Sequence, residues 1–194
     1  MADSSLPGFW DQRYLDGIMP WDAGGVPEAL RRYACELPPG ARILVPGCGS
    51  AYELYHLLEN GFDALAIDFS PPAVARAQAS MGRFADRVIE ADFFVFEQGA
   101  PFDVMYERAF LCALPRKTWA AYARRTAQLL APGGAIAGFF FFDDNPKGPP
   151  FGTSEQELHA LLDPLFEREQ DEPVSDSIPV FKGKERWQVW RRRE

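Results

Sequence analysis

Short apolar runs alternate along this chain with stretches whose apolar residues recur at helical spacing, the rhythm of strand–helix units building a largely parallel sheet. Residues 42–46 (Arg-Ile-Leu-Val-Pro) read as a first buried strand that ends in Gly47-Cys48-Gly49. Ser50 is then placed to cap a helix carrying Leu54, Leu57 and Leu58 on one face, and Gly61 ends it. Residues 63–68 form the second strand. Ser70 followed by Pro71-Pro72 reads as an N-cap with prolines in the first turn, opening a helix that runs to about residue 82. Strands are expected at 87–91, 102–106 and 135–142, with a long helix at 115–130 that stops at Pro132-Gly133-Gly134. Thr153-Ser154-Glu155 opens a last helix, and strands at 166–172 and 185–191 close the chain.

Five strand–helix repeats and a terminal strand pair predict a doubly wound α/β sheet in one domain, residues 1–194. The first 25 residues stand outside this rhythm. Phe9, Trp10 and Tyr14, followed by Pro20-Trp21-Asp22, place aromatic rings ahead of any strand. They suit either a helix packed on the sheet or a cover over a ligand crevice, with residues 26–194 as the α/β core.

Composition narrows the function classes. At 47% hydrophobic and 25% charged, the 194 residues are ordinary for a globular protein. Twenty Lys and Arg against 28 Asp and Glu give a net charge of −8, which argues against nucleic acid as partner. Three cysteines (Cys35, Cys48, Cys112) and two histidines (His56, His159) offer no metal-ligand spacing, so no metal is expected. The longest apolar stretch is too short to span a bilayer, and the N-terminus lacks the pattern of a secretory signal. The expectation is a cytoplasmic protein with no membrane partner, a monomer or weak dimer acting on a small molecule.

In open α/β sheets, ligands bind beyond the carboxyl ends of the strands. Gly47 and Gly49 follow the first strand, Asp68 ends the second and Asp92 follows the third. An acid ending the second strand is placed to accept ribose hydroxyls. The third glycine of a dinucleotide fingerprint is replaced by Tyr52, and no phosphate-binding P-loop is present, which disfavours NAD. An adenosyl ligand without phosphates, S-adenosylmethionine, fits these positions better. Asp92 would accept from the adenine amino group, and the Phe93 N–H would serve a ring nitrogen.

Trp10-x3-Tyr14-x6-Trp21-Asp22, Leu44-Val-Pro-Gly-Cys-Gly49, Ala66-Ile-Asp-Phe-Ser70, Glu90-Ala-Asp-Phe-Phe94 and the segment 102–113 occur in this order. With Leu130-Ala-Pro-Gly-Gly134, Gly148-Pro-Pro-Phe151 and Lys182-Gly-Lys-Glu185, they resemble the thiopurine S-methyltransferase family, including its halide and thiol methyltransferase branch. The resemblance runs from Trp10 to about Arg192. It implies a mostly parallel, seven-stranded class I methyltransferase sheet, Rossmann-like, with the last strand antiparallel and an N-terminal helical cover. It also implies Trp10, Tyr14 and Trp21 over the cofactor, Gly47 at its methionine end, Asp68 on the ribose, and Asp92 and Phe93 at the adenine. Arg108 takes the place of an arginine near the reacting centre. Tyr14 stands where the family commonly has tryptophan, and the plant halide branch tends to have tyrosine at the position of Arg108.

The resemblance thus implies an S-adenosylmethionine-dependent methyltransferase for a small soft nucleophile, foremost a thiol or thiopurine-like sulfur. Halide, selenium and tellurium species are further candidates. A small-molecule O- or N-methyltransferase, with Asp103, Glu107 or Asp143 as proton acceptor, and a non-catalytic sensor of the cofactor stand as alternatives. A structural ion pair of Arg108 with Glu107 or Asp103, and a simple turn at Asp143-Asp144-Asn145, are the plainer readings of those residues.

Overall fold

The computed structural model describes residues 3–97 and 99–194, so Met1 and Ala2 of the expected cover lie outside it. The chain divides into two compact units, Met1–Glu97 and Gln98–Glu194.

The first unit contains α1 (Pro7–Leu15), α2 (Glu28–Glu36), β1 (Arg42–Pro46), α3 (Tyr52–Glu59), β2 (Asp63–Asp68), α4 (Pro71–Met81) and β3 (Val88–Glu90). Its strands lie parallel in the order β3-β2-β1. Ile43, Leu44 and Val45 of β1, like Leu65, Ala66 and Ile67 of β2, are buried, as expected of parallel strands covered on both faces. Leu54 and Leu57 turn α3 toward this core, and Ala73, Val74, Ala77 and Met81 do the same for α4.

Two expectations need correction here, and a third is met in position but not in bonding. Ser50 does not cap α3: Gly47, Gly49 and Ala51 all adopt positive φ, which delays the helix start to Tyr52 and leaves Ala51 at the N-cap. Ser70 does stand at the N-cap of α4, with prolines in the first turn, but its side chain makes no capping bond. The third strand is shorter than expected because Gly82–Arg87 coil into a 3-10 turn first. Helix α2 went unassigned in the sequence, although Ala29, Leu30, Tyr33 and Ala34 give it a buried face at spacings of one and four.

The second unit contains β4 (Phe102–Arg108), α5 (Trp119–Leu129), β5 (Leu130–Phe141), α6 (Glu155–Leu162), β6 (Phe166–Pro173) and β7 (Glu185–Arg192). The strand order is β4-β5-β7-β6, with β4 and β5 parallel and β7 antiparallel to both of its neighbours. The last strand is therefore antiparallel, as the resemblance implies. The helix expected from 115 begins only at Trp119, after a 3-10 turn at Arg116–Thr118. Strand β5 starts early because Leu130 already pairs with Phe102, and the register shift before Val104 absorbs Pro132-Gly133-Gly134. Ser154 caps α6 as expected, accepting from the Glu157 N–H while Glu157 reaches back to the Ser154 N–H. Trp187 and Trp190 are buried in the sheet.

Candidate active site

The β1 end of the first unit is a loop of left-handed residues. Gly47 (φ 59°) and Cys48 donate their N–H groups to the Ile67 carbonyl at 2.8 and 3.3 Å, which folds the loop across the end of β2. There Asp68 is buried, and its carboxylate accepts from the Ser70 N–H at 3.0 Å and the Gly49 N–H at 3.4 Å. Burial pushes its pKa up to about 6, opposed by those N–H donors and assisted by the charge of Asp11.

The aromatic segment packs upon this loop. The Trp10 and Trp21 rings meet edge to face at 5.4 Å, and the Tyr14 and Trp21 rings at 6.1 Å. The φ of Gly49 is +51°, a conformation that favours glycine, and a Cβ there would approach the Tyr14 hydroxyl to 3.2 Å. The Tyr14 phenol is pushed up, first by burial and then by the Asp68 charge, and stays neutral at physiological pH. The structure thus brings Tyr14, the glycine loop and Asp68 together, with Trp10 and Trp21 packed behind Tyr14.

Two hydroxyl–carboxylate bonds that no local sequence pattern signals hold the segment there. Ser50 donates its hydroxyl to Asp22 at 2.5 Å, and Ser70 donates to Asp11 at 2.6 Å. Both serines carry the sequence signal of a helix cap, yet each spends its hydroxyl on an acid of the N-terminal segment. Asp22 also accepts the Gly24 N–H at 2.8 Å, and the Trp10 indole N–H donates to the Ser4 carbonyl at 2.9 Å.

Asp92 follows β3 next to Ala91, whose N–H donates to the Asp68 carbonyl at 2.9 Å. Its carboxylate is exposed and accepts the Phe94 N–H at 2.9 Å, while the adjacent Phe93 ring is buried against Phe94.

In the second unit, Arg108 ends β4 with its guanidinium 4.7 Å from the centre of the Phe139 ring. Glu107, one residue earlier, faces the opposite side of the sheet. It is fully buried and accepts from the Phe110 and Leu111 N–H groups, both at 2.9 Å, and from the Tyr122 hydroxyl at 2.7 Å. Burial pushes its pKa up to about 7 against those three donors. The Arg108 charge is felt instead by Glu185. Asp143 forms a turn: it accepts from the Asn145 N–H at 3.0 Å and pairs with Lys184, which holds its carboxyl below the usual range. Cys112, Trp119, Phe139, Phe141 and Phe151 wall a small cleft, and the Phe151 N–H ties its loop to the Cys112 carbonyl at 2.7 Å. Among the described residues, no group of three or more His, Cys, Asp or Glu is placed to hold a metal. No described helix is long and apolar enough to cross a membrane.

The fold is the Rossmann-like α/β fold of class I methyltransferases. It is shared with the 1,6-didemethyltoxoflavin-N1-methyltransferase of Burkholderia thailandensis, solved with S-adenosylhomocysteine (TM-score 0.75, 22% identity, 97% of this chain and 88% of that one). A TehB-like SAM-dependent methyltransferase from Corynebacterium glutamicum matches at TM-score 0.72 and 19% identity, over 97% of this chain and all (100%) of that one. The family model for thiopurine S-methyltransferase matches residues 6–193, and the chain belongs to that family. Among its relatives, the probable thiol methyltransferase 2 of Arabidopsis thaliana is 28% identical over 99% of this chain and 88% of its own. The thiopurine S-methyltransferase of Xanthomonas campestris pv. campestris (strain 8004) is 29% identical over 90% and 91%.

Proposed function

We infer that this protein is an S-adenosylmethionine-dependent methyltransferase that methylates a small soft nucleophile, foremost a thiol or thiopurine-like sulfur. The observation that carries the reading is the buried Asp68 carboxylate at the end of β2, bonded to the glycine loop on which Tyr14 packs. These residues fit an adenosyl sulfonium. Asp68 offers an acceptor to a ribose diol, the loop supplies close backbone approach without an anion cradle, and Tyr14 supplies an aromatic ring with a neutral hydroxyl. Trp10 and Trp21 complete the cover. Asp92 and the Phe93 N–H are assigned to the adenine, and Gly47 to the methionine end.

When bound, S-adenosylmethionine supplies an electrophilic methyl group on a positively charged sulfur. Aromatic faces favour such a cation by roughly 0.5–2 kcal/mol. The chain's own work is to exclude water and hold the nucleophile in line, about 3–3.5 Å from the methyl carbon. Arg108 steadies the negative charge of a thiolate, so the scarcity of histidines is no obstacle. Halide, selenium and tellurium species are further acceptors under the same scheme. We assign residues 1–194 to one methyltransferase domain, cytoplasmic and a monomer or weak dimer, in keeping with the family match over residues 6–193.

Calorimetric titration with S-adenosylmethionine, S-adenosylhomocysteine and NAD tests the cofactor. Binding of NAD without the adenosyl ligands overturns the reading. Product formation from a panel of thiophenol, thiopurine, bisulfide, iodide and selenite tests the acceptor, and binding without product across that panel means a sensor instead of an enzyme.

A further inference from the structure

Cross-strand partners share a face of a sheet. Arg108 pairs with Phe139 on β5, Phe139 with Trp187 on β7, and Phe141 with Glu185. Arg108, Phe139, Phe141, Trp187 and Glu185 therefore rise from one face, a guanidinium and a carboxylate set among aromatic rings. Phe139 meets Trp187 edge to face at 5.2 Å, and Phe181 meets Phe141 at 5.5 Å. Glu185 is 8% exposed, and its Oε1 is buried with no hydrogen-bond partner among the described residues.

The Ser177 hydroxyl acts on this carboxyl but leaves Oε1 unpartnered, and a buried acceptor oxygen without a donor is destabilising. The missing donor is what a protonated thiol brings and what a halide or a free thiolate lacks. A bare anion beside Arg108 meets the charge of Glu185 as well, and no proton offsets it. We propose that Glu185 is the specificity-determining residue of this enzyme, the internal counter-charge to Arg108 that makes the site favour protonated thiols over bare anions. The proposal rests on the thiol methyltransferase reading above.

The charge balance is simple. The thiol S–H bond breaks with its electron pair left on sulfur, and the proton passes to Glu185 Oε1. The sulfur, now negative beside Arg108, forms the new bond to the methyl carbon. The bond from that carbon to the sulfonium sulfur breaks, leaving its pair on the departing thioether. Glu185 later returns the proton to solvent. Site and substrate together keep the same charge until the methyl moves.

Other groups act on Glu185 from the elements around it. Burial is the largest influence and holds its carboxyl above the ordinary range, and Asp176 pushes the same way. The Arg108 charge and the Ser177 hydroxyl pull it down. The Cys112 thiol, raised chiefly by burial and further by Glu107 and Glu185, stays neutral and does not compete for the charge.

The test is calorimetric titration of the full chain with sodium iodide, without methyl donor, in two buffers of different ionisation enthalpy. Wild type should take up a fraction of a proton per iodide bound. Glu185→Gln should take up none and bind iodide at least about tenfold more tightly, because it removes one nearby negative charge. In turnover, Glu185→Gln should move the ratio of kcat/KM for a neutral alkyl thiol over iodide toward iodide by at least about tenfold, with Glu185→Asp restoring most of the thiol preference. Absent proton uptake by wild type, or an unchanged ratio in Glu185→Gln, overturns the proposal. A wild type and a Glu185→Gln variant that both fail to bind iodide overturn it as well. If Glu185→Gln fails to fold, the proton count of wild type decides. Failure to bind S-adenosylmethionine would overturn the proposed function and leave the iodide result to stand by itself.

Discussion

The Ser70 hydroxyl donates to the Asp11 carboxylate at 2.6 Å, tying helix α1 to the first residue after the Asp68 loop. Ser50 and Asp22 form a second tie at 2.5 Å, from the glycine loop to the residue beside Trp21. Each joins a strand-end loop to the aromatic segment. No residue of α1 is buried, so these bonds carry much of its attachment.

Removing one tie should loosen the cover without unfolding the sheet. Ser70→Ala and Asp11→Asn should each lower stability by about 1 kcal/mol and weaken S-adenosylmethionine binding several-fold. In a double-mutant cycle their effects should fall short of additivity by a similar amount. Strict additivity, read by chemical denaturation and titration calorimetry, would remove the tie from the argument.

Asp68 sets stability against function. Its folded pKa is about 6 against an ordinary 3.8. The folded state therefore holds the proton more tightly, and this contribution to stability is complete below about pH 4 and lost as pH rises through about 6. Asp68→Asn should stabilise the chain at pH 7 by on the order of 2–3 kcal/mol while severely weakening S-adenosylmethionine binding. In wild type, that affinity should decline as pH falls below about 6, where the ribose acceptor becomes protonated. Melting curves and binding isotherms between pH 5 and 8 check both statements.

Glu107 follows the same sign. With a folded pKa of about 7 against 4.5, its stabilising contribution is present below about pH 4.5 and lost as pH rises through about 7. Tyr122→Phe removes the 2.7 Å donor that helps it bear charge. The variant should lose about 1–3 kcal/mol, more at pH 8 than at pH 5. Urea denaturation at the two pH values should show that difference, and an equal loss at both would contradict it.

Arg108→Ala should lower kcat/KM for sulfur acceptors at least about tenfold while affinity for S-adenosylmethionine changes little. Steady-state kinetics alongside calorimetry separate the two. A matching loss in cofactor affinity would assign Arg108 to the cofactor instead of the acceptor.

Legibility in the sequence followed periodicity. Strands β1 and β2 are readable to the residue because their short unbroken apolar runs, residues 43–45 and 64–67, lie between polar and turn residues and admit few registers. Helix α2 is as periodic as the others, with Ala29, Leu30, Tyr33 and Ala34 on one face, but it spans only nine residues and precedes the first strand, outside the strand–helix alternation. Asp68 and the glycines were visible because strand ends are where open sheets bind ligands. Glu185 appeared only as part of a family string. Its cross-strand partner Phe141 comes from β5, and the Arg108 charge that acts on it comes from β4.

The amino-acid sequence by itself determined the strand–helix alternation, the acid and glycines at the strand ends, and the family. These depend on local pattern and on motifs contiguous in the chain. Only the tertiary structure decided where the polar side chains spend their bonds. Ser50 and Ser70 have the local signature of helix caps, yet a distant carboxylate is the better acceptor for each hydroxyl, and that choice exists only once the chain has folded. Glu107 and Arg108 are neighbours in sequence, but the pleat sends them to opposite faces of the sheet. One meets Tyr122 and two backbone N–H groups, the other Phe139 and the charge of Glu185.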